Sequence, residues 1–229
     1  MSSLAQSPSS ISVLGSKIVG RLRKGLYRHA PRFGLRRVLS EEWEAPRAKI
    51  PIHVRPFEPG DEEALFGHRH GEIAPADAVE VNSRLRHIEA DIPTAYVAVD
   101  ESTGTPCYIQ WLMGADQNDR IQTHLWGLPR LARNEALLEN AYIPPDYRGQ
   151  RVMPEAMYKI AEKARDLGAD YTLTFVPEGN MASLKGCKRA GFDIYSVHDH
   201  REYVFGIVQR HTFNVLPKGD PRLSLLAVS

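Results

Sequence analysis

The chain has 229 residues, 42% of them hydrophobic and 25% charged, with a formal net charge of +1. That size and balance suit one well-buried globular core with an appendage, and no apolar run is longer than a strand, which excludes a membrane-spanning helix of about 20 residues. Two cysteines, Cys107 and Cys187, stand far apart without metal-ligand spacing and read as free thiols in a reducing compartment.

Residues 1–40 carry Lys17, Arg21, Arg23, Lys24, Arg28, Arg32, Arg36 and Arg37 and no acid, so the rest of the chain is net acidic. Leu14, Ile18, Leu22 and Leu26 recur at four-residue spacing, with Ile11 on the same wheel and Lys17, Arg21, Lys24 and Arg28 on an adjoining face. The pattern predicts a basic amphipathic helix over residues 11–28, able to lie on anionic lipid or to dock on a protein partner. An extension packed on its own domain is a further reading, and the Ser- and Arg-rich start also has the composition of an organelle transit peptide. The acidic body disfavours nucleic acid as a partner. Residues 40–50 read as a linker. The expected divisions are therefore an extension and linker over 1–48, the motif-bearing domain over 49–210, and a tail over 211–229.

From Ile52 the chain alternates strands and helices. A strand over Ile52–Pro56 precedes a helix capped by Asp61, and a second helix runs from about Ala76 to Ile88. Thr94–Val99 and Tyr108–Met113 form a hairpin around Asp100-Glu101-Ser102-Thr103-Gly104. Ala136–Ile143 is a strand ended by Pro144-Pro145. Pro154–Leu167 places Met157, Ile160, Ala161, Ala164 and Leu167 on one helical face, with Gly168 beyond the last turn. A strand over Tyr171–Val176, a helix over Ala182–Ala190, and an antiparallel pair over Phe192–Val197 and Tyr203–Val208 complete the order.

Two stretches carry chemistry. Pro145-Asp146-Tyr147-Arg148-Gly149-Gln150-Arg151-Val152-Met153 follows a strand and opens a helix, where backbone amides and the helix dipole favour an anion. Farther on, Asn180 and Ser183 begin a short helix that ends at Gly191-Phe192. Asn180 suits its cap, and Gly191 suits the left-handed residue that ends it. Together these runs resemble the two best-known motifs of the GNAT superfamily of acyl-CoA N-acyltransferases, over roughly residues 52–208. The resemblance implies that Arg148, Gly149, Gln150, Arg151, Val152 and Met153 hold the pyrophosphate of coenzyme A, and that Ile143, Asn180 and Ser183 also serve the donor. The usual pattern has glycine where Arg151 stands and a small residue where Met153 stands. Many members also place a proton-donating tyrosine seven residues after the asparagine; here that position is Cys187. It is a candidate acid, which Lys185 and Lys188 would favour by lowering its pKa, and equally a small packing residue.

Acyl transfer to an amine needs a base. Glu135 and Glu139 lie four apart on one strand face. Glu139 sits in the apolar run Leu137–Ile143, where burial would raise its pKa, and is the preferred base, with Glu135 second. Arg84, Arg86 and Arg133 are the arginines available to pair with it. His198-Asp199-His200 reads as a solvated turn between the last two strands, and two histidines make a poor metal site.

The expected fold is thus α/β (α+β), a GNAT-like mixed, mostly antiparallel sheet flanked by helices, with a basic N-terminal helical extension. The resemblance implies an N-acyltransferase moving an acetyl or other short acyl group from acetyl-CoA to a primary amine of a small molecule by direct attack, without a metal. An acyl carrier protein as donor, and a non-catalytic binding module, are the competing readings. Expected partners are the amine, a membrane surface or protein through residues 11–28, and a second copy of the chain. The expected location is the cytoplasm or the membrane periphery, with organelle targeting left open.

Overall fold

The computed structural model describes residues 25–67, 75–90, 92, 94–125 and 127–227. Most of the amphipathic helix expected over residues 11–28 lies outside them, and its last residues turn into a strand.

The strands are β1 (Tyr27–His29), β2 (Arg32–Val38), β3 (Ile52–Pro56), β4 (Ala95–Asp100), β5 (Thr105–Gly114), β6 (Glu135–Tyr142), β7 (Tyr171–Pro177), β8 (Asp193–Tyr203) and β9 (Val208–Val215). They form one sheet in the order β1-β8-β2-β7-β6-β5-β4-β3, with β9 on the other edge of β8. Among the described residues only β6 and β7 pair in parallel; the other pairings are antiparallel. Among the described residues the helices are α1 (Asp61–Phe66), α2 (Pro75–Glu89), α3 (Asn118–His124), α4 (Val152–Glu162) and α5 (Met181–Arg189).

Both faces of the sheet are covered, which is why β5 is buried almost end to end and reads as a continuous apolar run. Tyr108 and Leu112 project to one side with Leu138, Met157, Ile160 and Leu184. Ile109, Trp111 and Met113 project to the other with Leu137, Leu173 and Ile121.

The sheet begins earlier than the sequence suggests. β2 lies between β7 and β8, pairing from Arg32↔Pro177 to Val38↔Tyr171 on one edge and from Arg32↔His198 to Arg36↔Asp193 on the other. Phe33 and Leu35 are core residues. The boundary expected at residue 48 is therefore corrected: residues 32–38 are an interior strand of the domain, and 27–29 an exposed strand paired to β8. Two of their charges are paired, buried Arg37 to Glu162, with its guanidinium stacked over Tyr158, and Arg28 to Glu202. The expected linker is docked as well. Trp43 donates its indole proton to the Arg189 carbonyl at 2.9 Å, and the Lys49 amide donates to the Gln150 carbonyl at 2.8 Å.

The C-terminal end needs the same correction. β8 and β9 are longer than expected and turn at Val204-Phe205-Gly206, where all three residues have positive φ. Valine and phenylalanine rarely adopt that conformation, so the turn carries no local sequence signal. His198, Asp199 and His200 consequently belong to β8, and His198 is buried, not in a solvated turn. Leu216 and Leu226, assigned to a tail, belong to the core. Helix α3, absent from the sequence reading, packs through Ile121.

Candidate active site

β6 and β7 pair only at Glu135↔Tyr171, Ala136↔Thr172 and Leu137↔Leu173. Past that point β6 continues to Tyr142 and β7 to Pro177 without pairing to each other, which opens a wedge in the sheet. Each strand then offers an unpaired edge of backbone amides and carbonyls, a surface suited to a ligand chain with amides of its own. Asn140, at φ 61, marks the irregularity that rotates β6 here. The wedge deepens into a cleft of about 910 Å³.

At one end stands the turn into α4. Gly149 has φ 79 and Arg151 φ 59, so the arginine adopts the left-handed conformation that a glycine would take more cheaply. The cost for a non-glycine residue is about 1–2 kcal/mol. The first amides of α4 have no intrahelical acceptor and point with the helix dipole toward the turn. Met153 replaces a small residue without clash because Gly186 of α5 faces it. A Cβ on Gly186 would lie 2.9 Å from the Met153 sulfur.

Among the residues expected at the donor site, Ile143, Arg148, Gly149, Arg151, Val152, Met153, Asn180 and Ser183 line the cleft. Gln150 does not; its carbonyl holds the Lys49 amide. Arg148 is engaged elsewhere, donating to Asp77 at 2.6 Å, whereas Arg151 has no ion pair among the described residues. The Asn180 side chain accepts from the Ser183 amide at 3.1 Å, and Gly191 ends the helix at φ 89.

Glu139 lines the cleft. Burial raises its pKa, opposed by the charges of Arg32 and Arg84 and by the Asn140 amide directed at the carboxylate. Oε2 has no hydrogen-bond partner among the described residues. A carboxylate in that state is a competent proton acceptor for whatever enters. Arg84 acts on it by charge alone, since its guanidinium donates to the Glu80 carbonyl at 2.9 Å and the Ala141 carbonyl at 2.5 Å. Glu135, the second candidate base, is corrected: it does not line the cleft, and its carboxylate accepts from the Ala132 amide at 2.9 Å. Four residues of strand separate the two glutamates by about 13 Å.

Cys187 lines the inner wall, buried in the core, and burial pushes its thiol up to about 12. Lys188 does not lower it, because its ammonium is held by Asp193 at 2.5 Å. The thiol stays protonated and is a weak acid, so packing is its structural role. Tyr108, which the motifs did not single out, lines the cleft near Cys187, and its hydroxyl donates to Gln110 Oε1 at 2.7 Å. Arg32 enters the cleft from β2 and was missed because the sequence assigned it to the basic arm.

The model of the acetyltransferase (GNAT) family matches residues 78–192, the span holding the turn, Glu139 and the Asn180 helix. A search of curated proteins returned no match. Among solved structures, the chain is similar to the glucosamine N-acetyltransferase region of a fungal multi-domain GH3 β-N-acetylglucosaminidase, at 14% identity and TM-score 0.55 over 84% of this chain and 23% of that one. It is also similar to a GCN5-related N-acetyltransferase from Sphaerobacter thermophilus, at 16% identity and TM-score 0.48 over 86% of this chain and 57% of that one. The chain thus spans little more than half of one relative and about a quarter of the other, and the first likeness supports the fold alone. With half of the chain, including the turn and the wedge, under the family model, the protein belongs to the GNAT family of acetyltransferases.

Proposed function

We propose that the protein transfers a short acyl group, acetyl in the simplest case, from acyl-CoA to the primary amine of a small molecule, by direct attack with both substrates bound. The observation that carries this reading is Glu139, a cleft carboxylate with a raised pKa and an unpartnered oxygen in the gap between β6 and β7. Acetyl-CoA fits the chain's own groups: an anion-favouring turn whose Arg151 has no ion pair among the described residues, and strand edges of β6 and β7 that do not pair with each other leading inward. When bound, it supplies an activated thioester.

The remaining chemistry belongs to the protein. The wedge edges hold and orient the donor arm, and Glu139 takes a proton from the ammonium to give the nucleophilic amine. Calorimetry with acetyl-CoA, followed by CoA-thiol release on addition of amines, tests the reading. Absence of donor binding at millimolar concentration would overturn it.

A further inference from the structure

Arg32 lines the cleft without an ion pair among the described residues. It is side by side with Pro177 and His198 in the sheet, so its side chain shares a face with theirs. Phe175, two residues before Pro177, lies on that face, lines the cleft and meets the His198 ring edge-on at 5.9 Å between centroids. His198 donates or accepts at 2.9 Å with His211 and stacks on Phe213 at 4.3 Å. The surroundings of Arg32 on this side are therefore aromatic, and burial together with the Arg32 charge keeps the His198 imidazole neutral, with its pKa pushed down to about 4. Arg32 lowers the pKa of Glu139 as well as those of His198 and His211, so its charge reaches both the carboxylate and the imidazoles.

Filling such a cleft removes water from the guanidinium. An acceptor bringing only its ammonium would leave that cation desolvated once Glu139 is protonated, whereas an acceptor bearing its own anion would neutralise it. Arg84, the other guanidinium near Glu139, is already held by carbonyls and keeps only a bare Nε. A planar fork is suited to a carboxylate or phosphate.

Resting on the acyl-transfer reading above, we propose that the acceptor is an amine carrying an anionic group, with the ammonium directed to Glu139 and the anion held by Arg32. The class includes α-amino acids and amino phosphates, whose shared chemistry is an ammonium and an anion a few bonds apart.

The test pairs each acidic amine with its neutral counterpart: amino acids against their decarboxylated amines, and O-phosphoethanolamine against ethanolamine. Acetyl-CoA consumption gives KM and kcat for each, and the two series distinguish carboxylate from phosphate. The wild-type protein should prefer the acidic member by about tenfold or more in KM. Arg32→Gln should raise KM for the acidic member far more than for the neutral one, Arg32→Lys should keep part of the preference, and calorimetry should show donor binding preserved in both. Equal use of both members, equal loss of both in Arg32→Gln, or no acidic amine bound or acylated by a protein that binds acetyl-CoA would each overturn the inference. Failure to bind acetyl-CoA would bring down the donor reading instead.

Discussion

Arg148 donates to Asp77 at 2.6 Å, joining the turn after β6 to α2 at the rim of the cleft. The pair raises the Arg148 pKa, first through that hydrogen bond, and occupies the guanidinium that the motif assigns to phosphate. Arg151, three residues further on, has no ion pair among the described residues.

The two arginines should therefore differ. Arg151→Ala should raise the acetyl-CoA dissociation constant by about tenfold, as expected for loss of one charge-assisted contact. Arg148→Ala should have the smaller effect, and Asp77→Asn, which removes a competing carboxylate, should tighten binding. Calorimetry at fixed salt checks the order, and a larger effect at Arg148 would reverse the assignment.

Glu139→Gln should lower kcat by about a hundredfold or more while leaving donor affinity intact. The same change should stabilise the fold at neutral pH. Because the native pKa of Glu139 is raised, the folded state binds more protons than the unfolded state between the two values, so its carboxylate costs stability above that window and nothing below it. The melting-temperature gain of Glu139→Gln should accordingly fade in acid. Turnover in the wild type should fall as pH drops through the raised value.

Removing residues 1–24 should leave the fold intact, because β1 begins at Tyr27. Removing residues 1–40 should abolish cooperative unfolding, since it takes β2 from between β7 and β8 and leaves Glu162 without buried Arg37. Circular dichroism melts of the two truncations separate these outcomes. A stable 1–40 deletion would show β2 to be dispensable.

Cys187→Ala should cost stability through a small core cavity but little in kcat, and the native thiol should react slowly with disulfide reagents because burial holds it protonated at neutral pH. A loss in kcat of about a hundredfold or more in Cys187→Ala would return the proton-donor role to Cys187.

His198 should make the protein acid-sensitive. Its pKa, lowered to about 4 by burial, means that stability present above about 6.5 is lost as pH falls from there toward 4. His198→Phe, which keeps a flat ring beside Phe213, should flatten the fall in melting temperature across that window. An unchanged slope would assign the sensitivity to other groups, such as His87, whose pKa burial likewise lowers to about 4.

The sequence alone determined what local chemistry controls. Asn180 caps a helix through an amide three residues away, and Gly191 and Gly168 end helices by their own backbone freedom. The strand over Ile52–Pro56 and the apolar runs of β4 to β7 were legible from their composition, as was the anion-favouring turn ahead of α4. Tertiary structure decided the rest, because the determining partners lie far apart in the chain. Arg37 meets Glu162 across 125 positions, and β2 is a strand because β7 and β8 supply both of its edges. The same long-range pairing made Glu139 a cleft residue while Glu135 serves a turn. It converted Arg32 from a member of a basic arm into a cation facing the carboxylate, since burial and charge at a site are set by neighbours that local spacing does not name.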